Sequence, residues 1–245
     1  MSIVERGPSG AAADLAGLDR RGSRFSVDSQ RRAVVAVLLL WCGALVLYRM
    51  HLAPDRLPIW LQWNLVLAAV PMVFSFGFRA ARTRNRLVPA GLCFALWLLF
   101  LPNAYYIITD IIHLARRPDV PLWYDLALLV SCAGTGVMFG YFSQIEVQNV
   151  VDKRFGKAAG WAITVGALFL SAFGIYLGRF LRWNSWNALT DPLALARAVA
   201  EAFVHPGTHP NPVPVTLIFG GALTLGYAAV RSFGAAMGKD TQRSL

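Results

Sequence analysis

Asn103, Tyr106, Asp110 and His113 stand three, four and three residues apart within FLPNAYYIITDIIHL. On a helix that spacing puts all four on one face. Tyr105 adds a second hydroxyl beside them, and PLWYD adds a second carboxylate at Asp125. Further along, GRFLRWNSW supplies Arg179, Arg182, Asn184 and Trp186, with the two arginines again three apart. These residue types suit three chemistries. In the first, Asp110 and Asp125 pair with Arg179 and Arg182 as an ion-pair clasp, because charges near low dielectric are costly unless paired. In the second, the arginines with Asn103, Tyr106, Asn184 and Trp186 hold an anionic or lipid-headgroup ligand, with Asp110 and His113 as acid and base. In the third, Asp110, His113 and Asp125 supply two carboxylates and an imidazole to zinc or manganese, the donor set of a membrane-embedded metal-dependent enzyme.

The elements that must position these residues are legible from charge spacing. The chain has 245 residues, 56% of them hydrophobic and 15% charged, with a mean hydropathy of +0.50. A soluble domain of this size carries about 25% charged residues. Six uncharged runs, the shortest 16 and the longest 29 residues, lie between Arg32 and Arg49, Arg56 and Arg79, Arg86 and Asp110, Asp125 and Glu146, Lys157 and Arg179, and Glu201 and Arg231. Crossing hydrocarbon takes about 20 residues of helix, so each run is a candidate span; the short first one works if Arg32 and Arg49 snorkel to the interfaces. The expectation is an all-α integral membrane bundle of about six transmembrane helices. The spans are expected at about 33–49, 59–78, 87–108, 122–142, 159–178 and 213–230, within a membrane domain over 32–232. A disordered tail is expected over 1–31 and a second tail over 233–245, both cytoplasmic. The first apolar run is expected to stay as a span rather than to leave as a signal peptide.

Net charge is +10. In a soluble chain this would suggest nucleic acid. Here 16 of the 23 Lys and Arg fall in the N-terminal tail, the RAARTRNR loop, the Lys153–Lys157 loop and the C-terminal tail. Topology explains that bias, with both ends in the cytoplasm of a bacterial inner membrane and no nucleic-acid partner. Odd-numbered spans then run outward, so the polar constellation gathers at the outer face. The partners expected are the bilayer, its anionic headgroups and a second copy of the chain. Pro102 should kink or end its helix. Asp191 and Pro192 open a short outer helix over about 192–204. His205 and His209 lie in a proline-rich loop and are read as loop residues. The small residues Cys132, Gly136, Gly140 and Ser143 form a helix-packing stripe. Cys42, Cys93 and Cys132 lie in separate spans and are read as apolar filler.

No GxSxG, HExxH, Walker A or GxGxxG motif is present, and no cofactor is specified. A small transporter or a structural partner, with the cluster as its clasp, is the competing class. The span interiors lack the mid-membrane charges that coupled transporters place there. Together, FLPNAYYIITDIIHL, PLWYD and GIYLGRFLRWNSW resemble a bacterial family of multi-pass membrane proteins, domain of unknown function 1361, over roughly 85–190 and the last span. In that family's pattern Tyr105 occupies a slot often held by proline. The resemblance implies a membrane protein and carries no activity.

Overall fold

The computed structural model describes residues 8–53, 57–116, 118–204 and 210–243, and side chains between residues 29 and 234 except that of Pro58. His205 and His209 lie outside the described residues. The elements are α1 (Pro8–Leu52), α2 (Leu57–Thr83), α3 (Leu87–Tyr106), a 3-10 segment (Ile107–His113), α4 (Leu122–Phe155), α5 (Lys157–Phe180), α6 (Asn187–Thr190), α7 (Pro192–Val204) and α8 (Pro212–Arg243). Among the described residues, six helical stretches are long and apolar enough to cross a bilayer: Ser29–Leu52, Ile59–Thr83, Leu87–His113, Leu122–Phe155, Lys157–Phe180 and Pro212–Gly234. The protein is an all-α, multi-pass membrane bundle.

Several boundaries differ from the sequence expectation. Helical backbone already begins at Pro8, inside the stretch expected to be a disordered tail; its Ala-rich opening and first-turn proline favour helix. At the other terminus α8 runs on to Arg243. Pro102 does not end α3, which continues to Tyr106. The ring packs on a glycine of α5: a Cβ at Gly174 would fall 2.6 Å from Pro102 Cγ. Asn103 Nδ2 meanwhile donates to the Phe100 carbonyl at 3.0 Å. After Tyr106 the chain tightens into the 3-10 turn rather than breaking.

α4 is the central helix and touches α1, α2, α3, α5 and the 3-10 segment. Its small-residue stripe receives α3 closely, since a Cβ at Gly140 would lie 2.5 Å from the Tyr105 ring. Such close approach is how helices associate where lipid removes the hydrophobic drive. One core cluster joins Trp97, Leu101, Tyr105, Leu168 and Tyr227. A second joins Cys42, Leu61, Ala104, Leu128 and Cys132. Two of the three cysteines, both free thiols, therefore share one cluster, and Cys42 Sγ sits 3.2 Å from Thr135 Oγ1.

α1 and α4 run antiparallel in a fixed register. Arg49 lies seven residues after Cys42, and Asp125 lies seven before Cys132. The same two helical turns therefore bring Arg49 Nε to Asp125 Oδ1 at 2.6 Å. The expected partnership of Asp125 with Arg179 or Arg182 is thereby corrected, as is the snorkelling of Arg49, whose side chain is fully buried. At the opposite end of the bundle Glu146 takes Arg31 at 2.6 Å and Arg79 at 2.9 Å, tying α1, α2 and α4.

Candidate functional site

A 3-10 helix has three residues per turn, so Ile107, Asp110 and His113 stack on one line. Ile107 and Asp110 are buried, and His113 is exposed at the C-terminal end of the segment. The last turn of α5 presents Arg179 to this line. Its Nη2 donates to Asp110 Oδ1 at 2.7 Å, and Nε and Nη2 donate to Thr109 Oγ1 at 2.9 and 2.6 Å. Thr109 in turn donates to the Tyr106 carbonyl at 2.6 Å. The Tyr106 ring lies under the guanidinium at 4.6 Å, a cation–π contact. It can come that near because a Cβ at Gly178 would meet the same ring at 3.0 Å.

The second Asp110 oxygen accepts from Asn64 Nδ2 of α2 at 2.8 Å. Both carboxylate oxygens are thus engaged inside the protein, and Asp110 joins α2, the 3-10 segment and α5. Its geometry is that of an orienting anion for Arg179. Arg179 Nη1 lies 3.0 Å from His113 Nε2. Guanidinium nitrogens only donate, so Nε2 must accept. That pairing corresponds to the tautomer with its proton on Nδ1. The Trp60 ring holds the imidazole edge-on at 4.9 Å.

These groups form one wall of a cavity of about 1060 Å³ between α2, α3 and α5. Asn103, Tyr106, Asp110, His113, Arg179, Arg182 and Asn184 all line it. Arg182 stands at φ 58°, the left-handed position that helix ends usually give to glycine. The next amide, of Trp183, donates back to the Leu177 carbonyl at 3.1 Å and closes the turn. Arg182 pairs with no carboxylate among the described residues and is exposed over the cavity mouth. The Asp110 charge cancels that of Arg179, so the lining carries one uncompensated positive charge. Away from this polar end the cavity is apolar, lined by Leu67, Leu98, Leu99, Leu170 and Phe173.

Three residues of the expected constellation fall elsewhere. Asp125 belongs to the α1–α4 pair. Trp186 is exposed and caps α6, its carbonyl accepting from Leu189 N at 2.9 Å. Tyr105 is buried against Gly140 behind the site. Among the described residues no three His, Cys, Asp or Glu side chains converge as metal ligands, so Asp110, His113 and Asp125 do not make a joint metal centre. Asn64, Thr109, Trp60 and Ser185 join the site without having been expected. Ser185 Oγ takes the Asn103 amide at 2.9 Å and fixes the loop after α5 to α3. The signal for Asn64 was present, because an amide inside an apolar span must find a partner.

No curated protein and no solved structure matches the chain. A family model does match residues 63–225, a stretch that holds every residue of the cavity wall described above except Trp60. By that match, the chain belongs to the family described as Protein of unknown function (DUF1361).

Proposed function

We propose that the cavity between α2, α3 and α5 binds a membrane amphiphile with an anionic headgroup. The observation that carries this reading is Arg182, an unpaired cation held at a strained backbone position over a cavity whose depth is apolar. Non-glycine residues at positive φ cost on the order of 1 kcal/mol and persist where something else is gained. A phosphate-bearing headgroup matches the guanidinium fork of Arg182, the Asn184 amide and the free Nδ1–H of His113. Acyl or isoprenoid chain matches the Leu98, Leu99 and Phe173 surface. Asp110, Asn64 and Thr109 set the Arg179 guanidinium and hold the wall. The clasp and the ligand site are thus two halves of one device. The reading requires no acid–base step from Asp110, whose two oxygens are already engaged.

Orientation follows from charge. The RAARTRNR loop and the Lys153–Lys157 loop lie at the opposite end of the bundle from the 3-10 segment. The positive-inside bias supports a reading in which that opposite end lies in the cytoplasm of a bacterial inner membrane, with both termini there and the cavity facing outward. The headgroup then belongs to the outer leaflet.

Native mass spectrometry of the full chain, titrated with phosphatidylglycerol and with phosphatidylcholine, tests the reading. Preferential retention of phosphatidylglycerol, lost in Arg182→Gly, is expected. Glycine suits the positive φ, so this variant removes the cation and keeps the turn. Equal retention of both lipids, or unchanged retention in Arg182→Gly, would overturn it.

A further inference from the structure

A second polar system runs through the other half of the bundle. Tyr141, Gln144, Gln148 and Asp152 follow one another at spacings of three, four and four on α4, so they form a single stripe. At 1.5 Å per residue the stripe is roughly 16 Å long. It faces α8 and α5. Tyr141 Oη donates to the Leu223 carbonyl at 2.9 Å, Tyr227 Oη donates to Gln148 Oε1, and Gln144 Nε2 donates to the Thr164 carbonyl at 3.0 Å. Arg231 closes the lower end on Asp152 Oδ2 at 3.1 Å. At the upper end the Tyr105 ring lies 5.7 Å from that of Tyr141, one residue away from Tyr106 of the cavity wall.

These partners leave polar atoms over. Tyr105 Oη, Gln144 Oε1, Gln148 Nε2 and Asp152 Oδ1 are buried without a hydrogen-bond partner. Tyr105, Gln144 and Gln148 are each at most 1% exposed. Turning the Gln148 amide over would only exchange which of its atoms is left out. An orphaned polar group costs about 1–3 kcal/mol, and four along one line of a membrane bundle call for a shared remedy. The set mixes one amide donor, one hydroxyl, one amide carbonyl and one carboxylate oxygen. A cation would satisfy only the acceptors and an anion only the donors. Water satisfies both, and buried water characteristically makes about three such bonds.

We propose that the stripe is a hydrated internal path, a file of bound waters along α4 from the Asp152–Arg231 pair to Tyr105. It lies on the far side of α3 from the amphiphile cavity and stands independently of it. Microsecond hydroxyl-radical labelling of the full chain in nanodiscs tests it, because radicals made from internal water modify the side chains that water touches. Tyr105, Tyr141 and Tyr227 are at most 4% exposed, and Phe139, from the apolar cluster, is 1% exposed. The three tyrosines are expected to label about tenfold faster than Phe139, as residues beside bound water rather than beside packed carbon. In Gln144→Leu/Gln148→Leu the excess is expected to vanish. Tyrosine labelling no faster than that of Phe139 in the unmodified chain would overturn the proposal whether or not the variant folds. So would labelling that survives intact in a folded double variant.

Discussion

Two arginine–carboxylate pairs stand at the same end of the bundle and do different things. Arg49–Asp125 is sealed: the side chains are 0% and 3% exposed, and Arg49 also donates to the Ala53 carbonyl at 2.9 Å. Arg179–Asp110 is as short, at 2.7 Å, yet its arginine side chain is 12% exposed and lies at the edge of a cavity. The difference arises from neighbours. α1 packs against α4 from the Arg31–Glu146 pair to the bond of Tyr124 with the Leu45 carbonyl, and closes over the first pair. At the second pair, the bulk of Trp60 and Pro102 and the close Gly174–Pro102 contact hold α2, α3 and α5 around an opening. The lesson is that an ion pair marks a fastening point, whereas a ligand site needs in addition a donor left over and room to use it. Arg182, His113 Nδ1–H and the cavity meet that second requirement only beside Arg179.

The comparison breaks most visibly at the sealed pair. Arg49→Ala removes the buried cation beside the Asp125 carboxylate and is expected to lose about 3–5 kcal/mol of unfolding free energy, read by denaturant titration in mixed micelles. Arg49→Leu with Asp125→Leu should recover most of that loss, because the pair is then replaced by packing rather than broken. Neither change should alter lipid retention. Asp110→Asn is expected to cost less, about 1.5–3 kcal/mol, since a charge-assisted bond weakens while Asn64 and Thr109 remain. Unlike the first variant, it should also reduce retention of anionic lipid in native mass spectra, because Arg179 loses its orienting anion. Gly140→Leu lies on neither pair and tests the α3–α4 contact. Overpacking against Tyr105 should lower stability by about 1–3 kcal/mol in the same titration. Arg182→Gly should change stability by no more than about 1 kcal/mol, relief of the strained φ offsetting the added freedom of glycine. Its effect should appear in lipid retention alone.

Much of the bundle was legible because charge is scarce in it. Uncharged runs bounded by Arg, Lys, Asp and Glu mark the helices, and alternation of direction brings Asp110, His113 and Arg179 to one end without knowledge of contacts. Side-chain pairing was less legible. Asp125 is close in sequence to Asp110, and nothing in the local pattern says that α1 supplies its cation. That depends on the register of α1 on α4, which the buried Cys42–Thr135 contact sets. The shape of the 3-10 segment was equally hidden. Pro102 is a breaker by local rule, yet α3 carries it, and the absent side chain of Gly174, 72 positions away, lets α5 pack on its ring. Ser185 and Asn64 entered the site through tertiary contacts for the same reason. Residues that carry charge announce themselves in sequence, whereas residues that satisfy or make room for them are found through packing.

The most direct test of the central claim is photo-crosslinking with a phosphatidylglycerol analogue that carries a diazirine midway along one acyl chain, followed by peptide mapping. The account predicts adducts on the cavity wall at Leu98, Leu99, Leu170 and Phe173, competed by unlabelled phosphatidylglycerol and absent in Arg182→Gly. Adducts spread over the lipid-facing sides of α1 and α8, with no enrichment on the cavity wall and no response to Arg182→Gly, would contradict it.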